Sequence, residues 1–234
     1  MAFKAPTNTT ENPYEMYFRW YCDDLIKHGY LESFEREAEK FRVLPKVDYK
    51  REKHLKTKEN GFETISLFPE TNYTYDFRLI WSEKALYIFT EPIEFDGFFV
   101  FGHPPFVSNW IEINGVVKMV SYIDVKPHYK AVEFGGGKMK SYYTFPFIQK
   151  YLYMTKGLYI NKTIPIHTGK HGISTCLFAS TFTPTRYVYT DKSGEERKIP
   201  FRKKGILAYC EQKSKIVDEL LFIKKNKSTQ VTLL

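Results

Sequence analysis

Near the middle of the chain, an apolar run closes on a carboxylate and an ammonium group two residues apart. The stretch VVKMVSYIDVKPHY, residues 116–129, is apolar on both faces until Asp124 and Lys126. In a strand, residues two apart point the same way. Pro127 pushes Lys126 toward extended geometry and ends the ladder. Both charged heads therefore emerge together at one edge of the core. A charge there needs a partner or a ligand, so the pair is either a plain ion pair or the wall of a binding site. The same acid-any-Lys pattern occurs at Asp48/Lys50, Glu196/Lys198 and Glu211/Lys213, but only Asp124/Lys126 terminates a long apolar strand.

Other chemistry-bearing patterns carry less. His167 and His171 have an i,i+4 spacing, yet the surrounding glycines make a helix a poor expectation and weaken a metal reading. FGGGKMK, residues 134–140, offers backbone N–H groups and lysines to a phosphate but lacks the GxxxxGK[ST] arrangement of a nucleotide loop. It reads instead as a loop over a bound polymer. Cys22, Cys176 and Cys210 show no CxxC spacing and no His partner, which argues against zinc, a disulfide framework and thiol catalysis. A reducing compartment fits them best.

The elements that must position Asp124 follow from periodicity. PYEMYFRWYCDDLIKH predicts a helix over Pro13–His28, with Tyr17, Trp20, Tyr21 and Leu25 near helical spacing and Gly29 stopping it. Residues 34–63 read as a strand or two with a solvated basic loop. YTYDFRLIW, Tyr73–Trp81, alternates as a strand, with Tyr75, Phe77, Leu79 and Trp81 on one face and Asp76, Arg78 and Ile80 on the other. ALYIFTEPIEF reads as a further strand, and DGFFVFGHPPFVSNW as an insertion with its own hairpin. After the Asp124 strand, Thr144 and Pro146 mark a helix start and Gly157 its end. LYINKTIPI is another strand, and an amphipathic stretch lies near the C-terminus.

The expectation is an α/β fold: a central mixed β-sheet flanked by helices, with acids at strand ends where ligands commonly bind. A core spans residues 1–166 with an aromatic insertion at about 92–115. Residues 167–234 form a basic C-terminal extension packed on the same domain.

At 234 residues and 43% hydrophobic, the chain can bury a substantial core, so disorder is not the default. A net charge of +8 favours a polyanionic partner such as nucleic acid or an acidic membrane face. The first residues have no apolar signal core and no run reaches membrane-spanning length. The expected protein is soluble and cytoplasmic, without a membrane partner.

Glu15 on the first helix, YTYDF around Asp76, YIDVK around Asp124 and QKYLY at Gln149–Tyr153 occur in an order that resembles the PD-(D/E)xK nucleases, closest to the phage- and RecB-type members. The similarity covers roughly residues 13–165 and implies a restriction-endonuclease-like core. Tyr75 stands where the family usually has proline before the aspartate, which weakens the match more than the chemistry.

The resemblance implies a magnesium-dependent DNA nuclease, an endonuclease of phage-type DNA processing or recombination, acting in the host cytoplasm if the origin is a phage. Asp76 and Asp124 would be metal ligands, the Val125 carbonyl a neutral one, and Glu15 a third carboxylate. Mg²⁺, a hard ion that prefers oxygen ligands, suits this set, with Mn²⁺ as a substitute. Lys126 would orient the attacking water or stabilise charge on the phosphate. Gln149 and Tyr153, four apart on one helical face, would contact DNA, with Lys150 reaching phosphate. Basic residues at 46–58 and 197–204 would add phosphate contacts. A homodimer is compatible with this reading. The alternatives are a non-catalytic nucleic-acid-binding protein on the same fold and a structural or interaction protein of a phage complex.

Overall fold

The computed structural model describes residues 12–37, 39–53, 61–93, 104–127, 139–166, 176–190, 193, 195–198 and 204–231. The His167/His171 pair and the glycines of FGGGKMK lie outside these residues.

Helix α1 spans Pro13–Lys27. It starts where sequence chemistry puts it: Asn12 Oδ1 accepts from the Tyr14 N–H at 3.1 Å, and Pro13 occupies the first turn. Gly29, at φ +73°, ends it in the left-handed region. Met16, Tyr17, Phe18, Tyr21, Cys22 and Leu25 form its buried stripe.

The chain is mixed α/β, built around a six-stranded mixed sheet. Strand β1 (Leu31–Arg36) leads outward into a two-stranded ribbon made of β2 (Lys40–Leu44), β3 (Val47–Lys53), β4 (Gly61–Phe68) and β5 (Thr71–Thr74). β2 pairs with β5 at its base and β3 with β4 farther out. The chain returns as β6 (Phe77–Trp81), antiparallel to β1. Strand β7 (Thr90–Pro92) is short and runs parallel to β8 (Phe106–Ile113). β9 (Val116–Val125) lies at the centre.

One edge of β9 is taken by β6. Its other edge is shared: β8 pairs antiparallel with residues 116–120, and β10 (Ile160–Thr163) pairs parallel with residues 122–125. Helix α2 (Met139–Lys156) makes the crossover to β10 that a parallel neighbour requires. Buried Asn161 seals the fork between β8 and β9, accepting from the Val107 N–H and donating to the Val107 and Tyr122 carbonyls. Asn109 does the same for the end of α2, donating to the Gly157 carbonyl.

The two faces of β9 feed two cores. Met119, Ile123 and Val125 join Phe77, Leu79, Trp81 and the α1 stripe. Val120 and Tyr122 join Phe41, Tyr75, Phe145, Leu152 and Ile160 beneath α2. The first core extends into α3 (Leu177–Ser180) and the start of α4 (Ile206–Val231) through Phe178, Phe182, Ile206, Tyr209 and Cys210. A small hairpin, β11 (Val188–Thr190) with β12 (Glu196–Lys198), lies between α3 and α4. All three cysteines are buried and none forms a disulfide. No helix among the described residues is long and apolar enough to cross a membrane.

Four expectations are corrected. Tyr73–Trp81 is two strands: the chain bends at Tyr75–Asp76, and Tyr75 turns into the α2 core instead of sharing a face with Phe77. Of residues 85–93, only Thr90–Pro92 form a strand, and residues 87–89 before it form a turn. Phe106–Ile113, read as part of an insertion with its own hairpin, is a strand of the central sheet because its apolar residues face both cores. Helix α2 begins at Met139, ahead of Thr144, so Pro146 lies inside it and removes one helical N–H.

Candidate metal centre

The ribbon leaves the sheet at Glu37, which adopts a left-handed φ of 44°, and returns at Asp76. Backbone bonds pin this crossing point: the Glu37 N–H donates to the Asp76 carbonyl at 3.2 Å, and the Asp76 N–H donates to the Ile123 carbonyl at 2.9 Å. The second bond ties Asp76 to the last turns of β9. It places the Asp76 side chain beside Val125, whose N–H donates to Asp76 Oδ2 at 2.5 Å.

Asp124 projects from the α2 face of β9 and is 3% exposed. Lys126 Nζ donates to Asp124 Oδ1 at 2.7 Å, the Lys126 backbone N–H donates to the Thr163 carbonyl, and the ammonium lies 5.8 Å from the centre of the Phe145 ring. The i,i+2 geometry read from the sequence is therefore present as a nearly buried ion pair. Asp124 Oδ2 is buried and has no hydrogen-bond partner among the described residues.

Burial foremost, and then the negative charge of Asp124, push the Asp76 carboxyl up to about 7, against the opposing pull of the Val125 N–H. Glu15 adds a smaller push and Lys126 a smaller pull. The two aspartates thus share one poorly solvated site, in which Lys126 is the ammonium that contacts Asp124. Tyr73 of β5 faces the same pocket. Its buried hydroxyl lies within the electrostatic reach of Asp124 without reaching hydrogen-bond geometry, and burial with the two carboxylates raises its pKa well above the ordinary value.

The remaining expected residues are distributed as follows. Glu15 is held by Arg36, whose Nη2 donates to Glu15 Oε2 at 2.5 Å. Among the described residues no three His, Cys, Asp or Glu side chains gather closely enough to hold a metal ion, while Glu15 is near enough to Asp76 to push its carboxyl up. Gln149 donates from Nε2 to the Ile160 carbonyl at 2.6 Å, which fastens α2 to the start of β10. Tyr153 and Lys150 are exposed on α2.

Two contributors escape sequence reasoning. Tyr73 and Lys162 read only as strand residues in the sequence. Lys162 pairs in parallel register with Asp124, so its exposed side chain leaves the sheet on the same face as Asp124 and Lys126. Only the parallel register reveals this, and that register depends on the α2 crossover.

The donor set fits a hard divalent cation. The Asp124 charge raises the cost of ionising Asp76, Asp124 Oδ2 has no hydrogen-bond partner among the described residues, and the ligating atoms on offer are oxygens. Comparison with protein-family models, with curated proteins and with solved structures finds no match for this chain.

Proposed function

We propose that this chain is a divalent-cation-dependent nuclease that hydrolyses phosphodiester bonds in DNA, on a restriction-endonuclease-like core. The single observation that carries the reading is the pairing of half-buried Asp76 with buried Asp124, with Lys126 on one Asp124 oxygen and no hydrogen-bond partner on the other among the described residues. The order of parts supports it: α1, the antiparallel β1, β6 and β9, then α2 and the parallel β10, with the acids where β6 begins and β9 ends.

Asp76, Asp124 and the Val125 carbonyl would hold Mg²⁺ or Mn²⁺, with Glu15, held by Arg36, as the third carboxylate. Such a cation supplies Lewis-acid activation of water and charge neutralisation at the phosphate. The chain's own residues do the rest. Lys126 keeps a positive charge at the pocket mouth, where negative charge grows on the phosphoryl oxygens during hydrolysis. Lys162, on the same face one strand over, suits an adjacent phosphate of the backbone. Gln149 preserves the spacing of α2 and β10, and so the width of the opening. Tyr153 and Lys150 lie on the exposed surface of α2, available to a polymer crossing that face. Endonucleolytic cutting in a phage setting is the form this proposal takes.

The test incubates the purified chain with circular and branched DNA in Mg²⁺, Mn²⁺ or EDTA, beside an Asp124→Ala control. Cleavage that needs the cation and disappears in the variant is expected. DNA binding without cleavage under every cation would make the chain a binding protein instead.

A further inference from the structure

Two buried groups of the candidate centre are complementary, and neither is satisfied. The Tyr73 hydroxyl can donate and Asp124 Oδ2 can accept, yet neither has a hydrogen-bond partner among the described residues. The fold brings them together. In the β2–β5 pairing Tyr73 stands opposite Phe41, so both rings leave the base of the ribbon on one side. Phe41 packs edge-on against Tyr122, with ring centres 5.8 Å apart. Tyr122 lies two residues before Asp124 and shares its face of β9. Tyr73 thereby comes close enough to feel the charge of Asp124 and, less strongly, that of Asp76. Burial foremost, and then those charges, keep the phenol protonated, so it is poised as a donor and not as a base.

We propose that Tyr73 is a positioning residue of the cation site: its hydroxyl donates to Asp124 Oδ2 when a divalent cation binds there, and fixes the plane of that carboxylate. This rests on the cation site of the proposed nuclease, but on neither its substrate nor its cleavage. An ionised carboxylate offers about four lone-pair positions. Lys126 takes one of them on Oδ1, which leaves Oδ2 room for a cation and a phenol together. The terminal torsion of an aspartate is broad, so the bond from Lys126 alone leaves Oδ2 loosely aimed. A second donor on Oδ2 restricts that turn and satisfies a buried hydroxyl in the same step. The opposite arrangement, in which the phenol takes the cation's place on Oδ2, has the opposite sign: removing the hydroxyl would then tighten cation binding.

Tyr75 supplies the control. Its hydroxyl is also buried without a hydrogen-bond partner among the described residues, and its ring packs 4.9 Å from that of Tyr122. The acids that act on it, however, are Glu39 and Glu35 and not the two aspartates. Loss of the Tyr75 hydroxyl therefore disturbs the same aromatic core without touching Asp124.

Mn²⁺ binding to the full chain without DNA, followed by electron paramagnetic resonance, tests this directly. Tyr73→Phe is expected to weaken Mn²⁺ binding by about tenfold, the scale of a lost hydrogen-bond partner behind a metal ligand. Tyr75→Phe should bind Mn²⁺ as the wild type does. Both variants keep their rings, and cation-free thermal melts should place each at or above the wild type, because an unsatisfied buried hydroxyl has been removed. Unchanged or tighter Mn²⁺ binding in Tyr73→Phe overturns the proposal and leaves the cation site standing. Equal weakening in the two variants overturns it as well, since it would report a loosened core. A wild type that binds no Mn²⁺ removes the cation site and the proposal with it. Mn²⁺ binding that weakens in Tyr73→Phe alone, in a wild type that cleaves no DNA, would sink the nuclease reading and uphold this one.

Discussion

Asp76 and Asp124 are joined through the backbone of one dipeptide: the Val125 N–H binds Asp76 Oδ2, while Asp124, the residue before it, holds Lys126 on Oδ1. One β-strand end therefore orients both acids, although they come from separate strands. The arrangement is costly, because the half-buried Asp76 carboxyl lies beside buried Asp124. A cation in the proposed site would relieve that repulsion.

Stability should therefore depend on pH in a defined direction. The Asp76 carboxyl titrates at about 7 in the folded chain and near 3.8 when unfolded. Between these values the folded state binds more protons, so the Asp76 contribution to stability is lost as pH rises from about 4 to about 7. Above that range it is constant. Thermal melts of the cation-free protein, compared with Asp76→Asn, should show the wild type losing ground to the variant across this window. Mg²⁺ should recover the loss at pH 8. A constant difference across the window would remove the premise of a strained pair.

Asp76→Asn should itself separate stability from activity. Asparagine can still accept from the Val125 N–H, yet it carries no charge for Asp124 to repel. At pH 8 and without divalent cation, the variant should gain on the order of 1–3 kcal/mol, the scale of one poorly compensated buried polar group. For a chain of this size each kcal/mol raises Tm by about 2–4 °C. Cleavage should be abolished in the same preparation. An active variant, or one that melts below the wild type, would contradict the pairing described.

Much of this centre is legible in the sequence because it is local. The apolar run of β9, Pro127 and the two-residue spacing of Asp124 and Lys126 set the ion pair with no tertiary information. Pro13 and Gly29 likewise bound α1 by turn chemistry. What hides depends on distant packing. The bend at Tyr75 looks like unbroken alternation, because it is the α2 core, with Phe41 and Tyr122, that draws Tyr75 across. The start of α2 is obscured by Pro146, whose usual place is a first turn. Lys162 joins the face of Asp124 only through a parallel register that no local pattern encodes.

Lys126→Ala should lose cleavage, but for two reasons that a single variant would confound. Removing the ammonium strips the only hydrogen bond made by the Asp124 carboxylate among the described residues, in a nearly buried setting. Breaking a buried pair in this way costs about 3–5 kcal/mol. The double variant Asp124→Asn/Lys126→Met removes both charges and should regain most of that stability while staying inactive. Chemical denaturation of the wild type, single and double variants measures the coupling. A single variant as stable as the wild type would mean that the pair is solvated and weak.

Gln149 and Tyr153 share a helical face but should behave differently. Gln149 is spent on the Ile160 carbonyl, so Gln149→Ala should destabilise the chain by about 1 kcal/mol. Any loss of DNA binding should follow that loosening of α2 from β10. Tyr153 is exposed, and Tyr153→Ala should leave the melting temperature within experimental error while weakening DNA binding by roughly 1–3 kcal/mol, the worth of one stacked aromatic. Fluorescence anisotropy with labelled DNA, read beside thermal melts, distinguishes the two. If Tyr153→Ala melts early and binds normally, the exposed surface of α2 is not where the polymer lies.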